Sequence, residues 1–280
     1  MRLTYLLLFT FSLGATFAQV TTPQPSPRSK ISQQVGLTQI EIDYSRPSAR
    51  GRQIMGGLVR YGDIWRTGAN QNTTVSFSDP VSIAGQTLAA GKYALYTRPY
   101  ANQWEVYFYK KNNLGDASLN WEENHVELTA IASPVYFDPM VETFTISLSN
   151  LQSNSASMNL IWEHTLIPIS IVVPTASKAQ QSIDRTLSGE PKARDYFQAA
   201  VYYLQENKDL KKAQSWIEKA IEMREKPAYW MYRQYALILA KRNDKDAALK
   251  AAKKSLALAE KVGNKDYIIM NKASIFEWSK

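Results

Sequence analysis

The apolar residues of this chain change their spacing near Pro174, and this change limits the folds that the chain can adopt. Between Ile31 and Pro174 they alternate with polar residues, as in half-buried β-strands. After Pro174 they recur at intervals of three and four residues, as on one face of a helix. The sequence therefore predicts an α+β protein in two parts, an N-terminal antiparallel β-sandwich or barrel followed by C-terminal α-helical hairpins.

The first part contains short runs that are rich in Thr, Val, Ile and aromatic residues, the types that favour strands. Turn residues, such as Asn112-Asn113, separate the runs. No helical periodicity lies between them, which is typical of a sandwich or barrel. The predicted strands are residues 37–44, 73–78, 93–97, 104–109, 126–132, 142–148, 156–163 and 166–173.

The second part contains six predicted helices and a weak internal repeat. Small and apolar residues of 213–221 recur 35 positions later, which resembles tetratricopeptide repeats. A plain bundle of helical hairpins is the alternative. If the helices recruit a protein partner, we expect an aromatic groove around Tyr203, Trp216, Tyr229 and Tyr232. The predicted helices are about 175–187, 191–206, 210–225, 228–241, 245–261 and 266–278.

The N-terminus has the features of a secretory signal. Arg2 is followed by an apolar run and then by Thr16-Phe17-Ala18, so we expect cleavage after about Ala18 and export to the periplasm or beyond. The run is shorter than the roughly 20 apolar residues that cross a bilayer, and no later run is longer, so no membrane span is expected. The predicted organisation is a signal peptide (1–18), a proline-rich tether (19–30), a β-domain (31–174) and a helical domain (175–280).

Composition and charge exclude several kinds of site. The 280 residues include no Cys and two His, so thiolate metal centres and thiol nucleophiles are excluded, and we expect no metal and no cofactor. The net charge of +8 lies entirely in residues 176–280, which hold 21 basic and 13 acidic residues. Basic and acidic residues alternate there, and the chain carries an export signal. We therefore interpret the charge as a solvated helix face and expect no nucleic-acid partner.

A long segment without strand or helix periodicity follows the first predicted strand. It runs from residue 44 to residue 70 and contains five Arg and no Lys. Arginine suits two-pronged recognition of carboxylate or phosphate. In the ligand hypothesis Arg46, Arg52 and Arg66 hold an anion, while Asn70 donates a hydrogen bond and Trp65 stacks. In the alternative hypothesis the arginines are structural, and Arg46 and Arg52 pair with Asp43 or Asp63.

The motifs of this segment resemble those of a secreted bacterial family catalogued as a domain of unknown function, DUF2911. They are Tyr-Ser-Arg-Pro (44–47), Gly-Gly-Leu-Val (56–59), Tyr-Gly-Asp-Ile-Trp-Arg-Thr-Gly-Ala-Asn (61–70) and Ala-Gly-Lys-Tyr-Ala-Leu (90–95). The resemblance covers about residues 26–170, and it implies a β-domain with a helical tail in longer members. Met55 and Arg60 depart from the family pattern, and Arg60 is left out of the candidate site for that reason. The family name implies no activity.

Three functions remain open at the level of sequence. The first is a non-catalytic ligand-binding module with candidate residues Arg46, Arg52, Asp63, Trp65, Arg66 and Asn70. The second is a metal-independent hydrolase or isomerase that uses Asp63 or Asp43 as base and Arg66 as electrostatic stabiliser. The third is a scaffold that binds a protein through the helices. No nucleophile elbow and no selected carboxylate pair favours the enzyme, so we expect no catalysis.

Overall fold

A computed structural model describes residues 21–110 and 121–280. The chain divides between Pro174 and Thr175 into two compact units, a β-unit and a helical unit, which are described separately. The predicted signal peptide and the Asn112-Asn113 turn lie outside the described residues. The α+β prediction of strands followed by helices is confirmed.

The β-unit consists of two antiparallel sheets. Its strands, in chain order, are β1 (Arg28–Val35), β2 (Thr38–Ser45), β3 (Thr74–Phe77), β4 (Val81–Ile83), β5 (Gln86–Leu88), β6 (Gly91–Pro99), β7 (Trp104–Tyr109), β8 (Val126–Ala132), β9 (Val135–Ser149) and β10 (Ser155–Val172). One sheet has six strands in the order β1-β2-β3-β6-β7-β8, and the other has four in the order β5-β4-β10-β9.

The core of the β-unit lies between the two sheets, and the alternating sequence pattern fills it. Ile40 and Ile42 of β2 point inward from the six-stranded sheet, and Phe144 and Trp162 point inward from the other sheet. All four are at most 1% exposed. The residues between them on the same strands, including Glu41, face away from the core. We call that side of the six-stranded sheet the outer face.

Two elements differ from the sequence prediction. The runs 156–163 and 166–173 form the single strand β10, whose register with β9 shifts on both sides of Glu163. Glu163 has a φ of +49°, so the strand bends there without ending. Strand β1 begins at Arg28, inside the predicted tether, because its residues pair along the whole length of β2.

The helical unit contains six helices: α1 (Thr175–Leu187), α2 (Ala193–Gln205), α3 (Leu210–Glu222), α4 (Tyr229–Lys241), α5 (Lys245–Val262) and α6 (Lys265–Trp278). Asp209, Asp244 and Asn264 cap the N-termini of α3, α5 and α6 with side-chain oxygens. Gly263 ends α5 in the left-handed conformation, with a φ of +70°. None of the helices in the described residues is long and apolar enough to span a membrane.

Small residues allow these helices to pack closely. Ala213 of α3 and Ala248 of α5 are fully buried. The groove expected around Tyr203 and Trp216 is not formed by those residues. Tyr203 is 5% exposed, and the Trp216 ring packs against it with centroids 4.7 Å apart, so both belong to the core of the unit.

Candidate functional site

The segment that leaves β2 closes one side of the sandwich. The Ala49 N–H donates to the Glu142 carbonyl over 2.8 Å, and the Phe144 N–H donates to the Pro47 carbonyl over 2.8 Å. Ser48 forms a β-bridge with Thr143. Residues 47–49 thus extend from the six-stranded sheet onto β9 of the four-stranded sheet. The long loop is therefore fixed by backbone pairing at its start.

Arg46 continues this connection with its side chain. Its Nε donates to the Phe144 carbonyl over 3.1 Å, and its Nη2 donates to Thr145 Oγ1 over 2.7 Å. Its backbone N–H donates to the Pro27 carbonyl over 2.9 Å. The guanidinium thus joins the loop to β9, and the backbone N–H joins it to the residues that precede β1.

Arg52 folds back onto its own loop. Its Nε donates to the Ala49 carbonyl over 3.0 Å, and its Nη2 donates to the Ser48 carbonyl over 2.8 Å. Two N–H donors of the same guanidinium thus bind the carbonyls of two consecutive residues. The side chain stabilises the turn after β2, and it directs these donors to the protein itself.

The carboxylate partners predicted for Arg46 and Arg52 have other cations beside them. Asp43 accepts from Arg28 Nε over 2.6 Å and lies 3.8 Å from Lys30 Nζ. Asp63 is 62% exposed and lies 3.9 Å from Arg60 Nη1. The structural interpretation of the two arginines therefore agrees with the geometry, but the acceptors are carbonyl and hydroxyl oxygens where carboxylates were expected.

Trp65 is inserted into the core of the sandwich. Its ring lies 5.1 Å from Phe144, 5.9 Å from Trp162 and 6.3 Å from Trp104, measured between centroids. Its backbone exchanges two hydrogen bonds of 2.8 and 2.9 Å with Thr97 of β6. The indole predicted to stack on a ligand therefore stacks on other side chains of the protein.

Arg66 and Asn70 lie at the end of the loop. Arg66 Nη1 donates to the Asn70 carbonyl over 2.8 Å. Asn70 has a φ of +57°, and its side chain donates to the Ser26 carbonyl over 3.4 Å. Burial raises the pKa of Tyr96, whose side chain is on the outer face, and the charge of Arg66 partly opposes that rise.

The outer face carries a groove of about 310 Å³ over strands β1, β2, β3 and β6. Two cross-strand rows line it. One row joins Lys30, Asp43 and Thr74, and the other joins Ser32, Glu41, Ser76 and Lys92. Side chains directly opposite one another on antiparallel strands lie about 5 Å apart, so these groups converge on one surface. We call this surface the outer groove.

The polar groups of the outer groove are of three kinds. The carboxylates lie on β2, and hydroxyls lie on its neighbours β3 and β1. The ammonium groups of Lys30 and Lys92 lie on the outer strands of the groove, β1 and β6. Lys92 is exposed, and within residues 21–110 and 121–280 no ion pair or side-chain hydrogen bond holds it. A second depression of about 240 Å³ shares Glu41, Ser76 and Lys92 and lengthens the groove toward Gly91.

An aromatic cluster continues the outer face beyond Ala94. Tyr96 of β6 and Tyr107 and Tyr109 of β7 are at most 4% exposed, because Trp121 covers them. The indole of Trp121 stacks on Tyr109, with centroids 4.9 Å apart and planes at 28°. We call these four residues the outer aromatic cluster. It forms a second apolar layer outside the sheet and ends the outer groove on that side.

Polar atoms within this cluster are paired. Asn72 Nδ2 donates to the Tyr96 hydroxyl. Burial raises the pKa of Tyr96 to about 12, against opposing contributions from Asn72 and Arg66. Burial also raises the pKa of Tyr107, and its hydrogen bond to Glu105 raises that pKa further. Both phenols are therefore protonated at physiological pH; Tyr107 donates to Glu105, and Tyr96 accepts from Asn72.

His125 lies at the edge of the cluster. Its Nδ1 is 2.7 Å from Glu122 Oε2, and its ring centroid is 5.6 Å from that of Tyr109. The carboxylate fixes the orientation of the imidazole on the rim.

The family model described as "Protein of unknown function (DUF2911)" matches residues 26–171, more than half of the 280-residue chain. The chain belongs to the DUF2911 family. Comparison with curated proteins and with solved structures gave no match. The matched range begins two residues before β1 and ends one residue before the end of β10, so the DUF2911 domain corresponds to the β-unit.

The predicted site residues of the DUF2911 domain do not form one cluster. Arg46 and Arg52 anchor backbone at the start of the loop, Trp65 fills the core, and Asp63 is on the exposed side of the loop. The arginine-rich composition of the loop singled these residues out. In the structure, Arg46 and Arg52 bind backbone carbonyls and hold the loop in place.

The sequence did not identify Glu163, which holds the loop, or the residues that line the outer groove. Glu163 accepts hydrogen bonds from the Ile54 and Met55 N–H groups over 3.1 and 3.3 Å, and it is more than 100 positions away along the chain. Lys30 lies in the predicted tether and Lys92 just before a predicted strand, while Glu41 and Thr74 lie within predicted strands; none of the four is a predicted site residue. The strand order that brings them together comes only from the structure.

Proposed function

We propose that this protein is an exported, non-catalytic binding protein whose DUF2911 domain takes a small polyhydroxylated ligand with one anionic group. Sugar acids and sugar phosphates are of this class. The observation that supports the proposal most is the outer groove, where the exposed ammonium of Lys92 lies in one row with Ser76 and Glu41. The features of residues 1–18 support export.

The residue types of the outer groove suit hydroxyl groups. Carboxylates accept hydrogen bonds from ligand hydroxyls, and Ser and Thr hydroxyls both donate and accept. Glu41, Thr74 and Ser76 provide these functions on adjacent strands. A ligand with several neighbouring hydroxyls matches such a row better than an apolar molecule does.

The charges of the groove favour an anion at one end. Asp43 is already bound by Arg28 and faces Lys30, so its charge is compensated within the protein. Lys92 has no such partner in the described residues and is the cation left for a ligand. A charge-assisted hydrogen bond to a carboxylate or phosphate is shorter and stronger than a neutral one.

The same contacts support binding without catalysis. Asp43, one of the two bases considered, accepts a 2.6 Å hydrogen bond from Arg28, so this carboxylate oxygen is engaged within the protein. Asp63, the other, is exposed on the loop, where water surrounds it. Through Arg46, Arg52 and Trp65, the loop stabilises the positions of β2 and β6, two of the strands that carry the groove residues.

A thermal-shift screen of the full chain tests the proposal. The panel contains neutral sugars, sugar acids, sugar phosphates, simple carboxylates and inorganic phosphate, and each compound is repeated with Lys92→Gln. A sugar acid or sugar phosphate is expected to raise the melting temperature of the native protein more than the matching neutral sugar does. Lys92→Gln should abolish most of that difference.

The matched control is Lys110→Gln. Lys110 is an exposed lysine that follows β7, and it is engaged with Glu127 of β8 across 3.1 Å, outside the lining of the outer groove. This variant should keep the full ligand-induced shift. Equal shifts in the native protein and in Lys92→Gln, or shifts lost in both variants alike, would contradict the proposed site.

A further inference from the structure

The helical unit has a groove of about 280 Å³ that is apolar inside and basic at its edges. Met231 of α4 is fully buried beneath it. Phe197 of α2 and Trp230 of α4 are partly exposed, and their rings meet edge to face with centroids 4.6 Å apart. Arg194 of α2 and Arg224, after the end of α3, complete the lining. We call this surface the Phe197–Trp230 groove.

The two arginines are exposed, and within residues 21–110 and 121–280 no ion pair holds either of them. Arg224 lies over the Trp230 ring, with its Cζ 5.7 Å from the ring centroid. A guanidinium stacked on an indole keeps its N–H edge available for a planar, two-pronged acceptor. Each arginine has an acidic neighbour in the chain, Asp195 beside Arg194 and Glu225 beside Arg224. Asp195 accepts a hydrogen bond from the Lys192 backbone N–H at the start of α2.

We infer that the Phe197–Trp230 groove binds a peptide segment in which an apolar side chain is flanked by carboxylates. The apolar side chain would lie against the joined Phe197 and Trp230 rings, above Met231, and the carboxylates would meet Arg194 and Arg224. The groove volume of about 280 Å³ is close to the smallest ligand pockets, which measure roughly 300 Å³. It can hold a large side chain but not a folded element. This inference concerns the helical unit alone and does not depend on the outer groove.

Charge complementarity selects this partner over a neutral apolar one. A neutral peptide would bury the same apolar surface and leave both guanidinium groups without an acceptor. An acidic peptide gains up to two charge-assisted, two-pronged contacts at the edge of the groove. Such contacts at an exposed rim are worth up to about 1 kcal/mol each, so their loss weakens binding by up to about fivefold per arginine.

The test uses fluorescence anisotropy of a labelled nine-residue peptide that has a central leucine between two glutamates, with both ends blocked. Two companion peptides replace the glutamates by glutamines or the leucine by glycine. The full chain should bind the acidic leucine peptide more tightly than either companion. The difference from the glutamine peptide should shrink as salt is raised, because the contacts at the rim are screened.

Arg224→Gln and the double variant Arg194→Gln with Arg224→Gln should weaken binding of the acidic peptide in two steps and leave binding of the glutamine peptide unchanged. Arg185→Gln, an exposed arginine on α1 outside the groove, is the matched control and should bind as the native chain does. Circular dichroism checks that each variant remains folded. Equal affinity for the acidic and glutamine peptides, an unchanged Arg224→Gln variant, or no binding of any peptide at about 1 mM would overturn the inference.

Discussion

The indole of Trp65, from the irregular loop, stacks on the indole of Trp162, from β10, with ring centroids 5.9 Å apart and planes at 22°. Phe144 of β9 packs edge-on against the Trp65 ring with centroids at 5.1 Å. The loop therefore supplies a central side chain of the sandwich core. This relationship explains why a segment without regular structure keeps one conformation.

Replacing Trp65 with alanine should destabilise the DUF2911 domain by about 2–3 kcal/mol, less than the cost for a fully buried ring, because the indole is partly buried and packs against the core. The missing ring would leave a cavity between Trp162, Trp104 and Phe144. Chemical denaturation followed by circular dichroism measures the change. Tyr61→Ala, an aromatic of the same loop that is 46% exposed, should cost less than about 1 kcal/mol. Similar losses in both variants would mean that Trp65 is not a core residue.

Arg46→Ala should lower the free energy of unfolding by about 1–3 kcal/mol, because it leaves the acceptors on Phe144 and Thr145 without their donor. The control is Arg60→Ala on the same loop, whose side chain is 78% exposed and 3.9 Å from its partner Asp63; this should change the stability by no more than about 0.5 kcal/mol. The same denaturation measurement compares them. An Arg46→Ala variant as stable as the native chain, but unable to bind the outer-groove ligand, would restore the ligand hypothesis for this residue.

The buried tyrosines of the outer aromatic cluster predict a loss of stability at alkaline pH. The pKa of Tyr96 is about 12 in the folded chain and 10 as its ordinary value, so the folded state holds its proton more tightly. The contribution of Tyr96 is therefore complete below pH 10 and declines as the pH rises toward about 12. Tyr96→Phe should make the unfolding free energy fall less steeply in that window.

Denaturation curves at several pH values between 8 and 12 measure this dependence. Tyr100→Phe is the control, since Tyr100 lies just beyond β6 and is only partly buried. It should leave the slope unchanged. Identical slopes for the native chain and Tyr96→Phe would contradict the assignment of a raised pKa to Tyr96.

The sequence predicted the division into strands and helices because burial imposes a period of two or about 3.6 on the residues themselves. The helix boundaries followed from local signals, such as Asp209 and Asp244, whose side chains cap α3 and α5. The bend at Glu163 could not be predicted, since two runs separated by a break in alternation read as two strands. It depends on the register of β10 with β9 and on the loop N–H groups that the Glu163 carboxylate accepts.

The candidate site was harder to predict than the fold, and Arg46 shows why. Composition shows that an arginine can bind an anion. It does not show whether that side chain donates instead to a backbone carbonyl of the protein, as Arg46 does to β9. In the same way, Lys92 precedes the predicted strand 93–97 and carries no local signal that sets it apart from other lysines. Only the order β1-β2-β3-β6 places it in one row with Glu41 and Ser76.

The central claim is that the outer groove, and not the arginine loop, is the ligand site. Backbone amide NMR of the full chain, titrated with the sugar acid or sugar phosphate that gives the largest thermal shift, tests it most directly. We predict saturable shifts at Lys30, Glu41, Ser76 and Lys92, which Lys92→Gln weakens. Shifts confined to residues 46–70 or to the helical unit, or no shift with any compound of the panel, would contradict it.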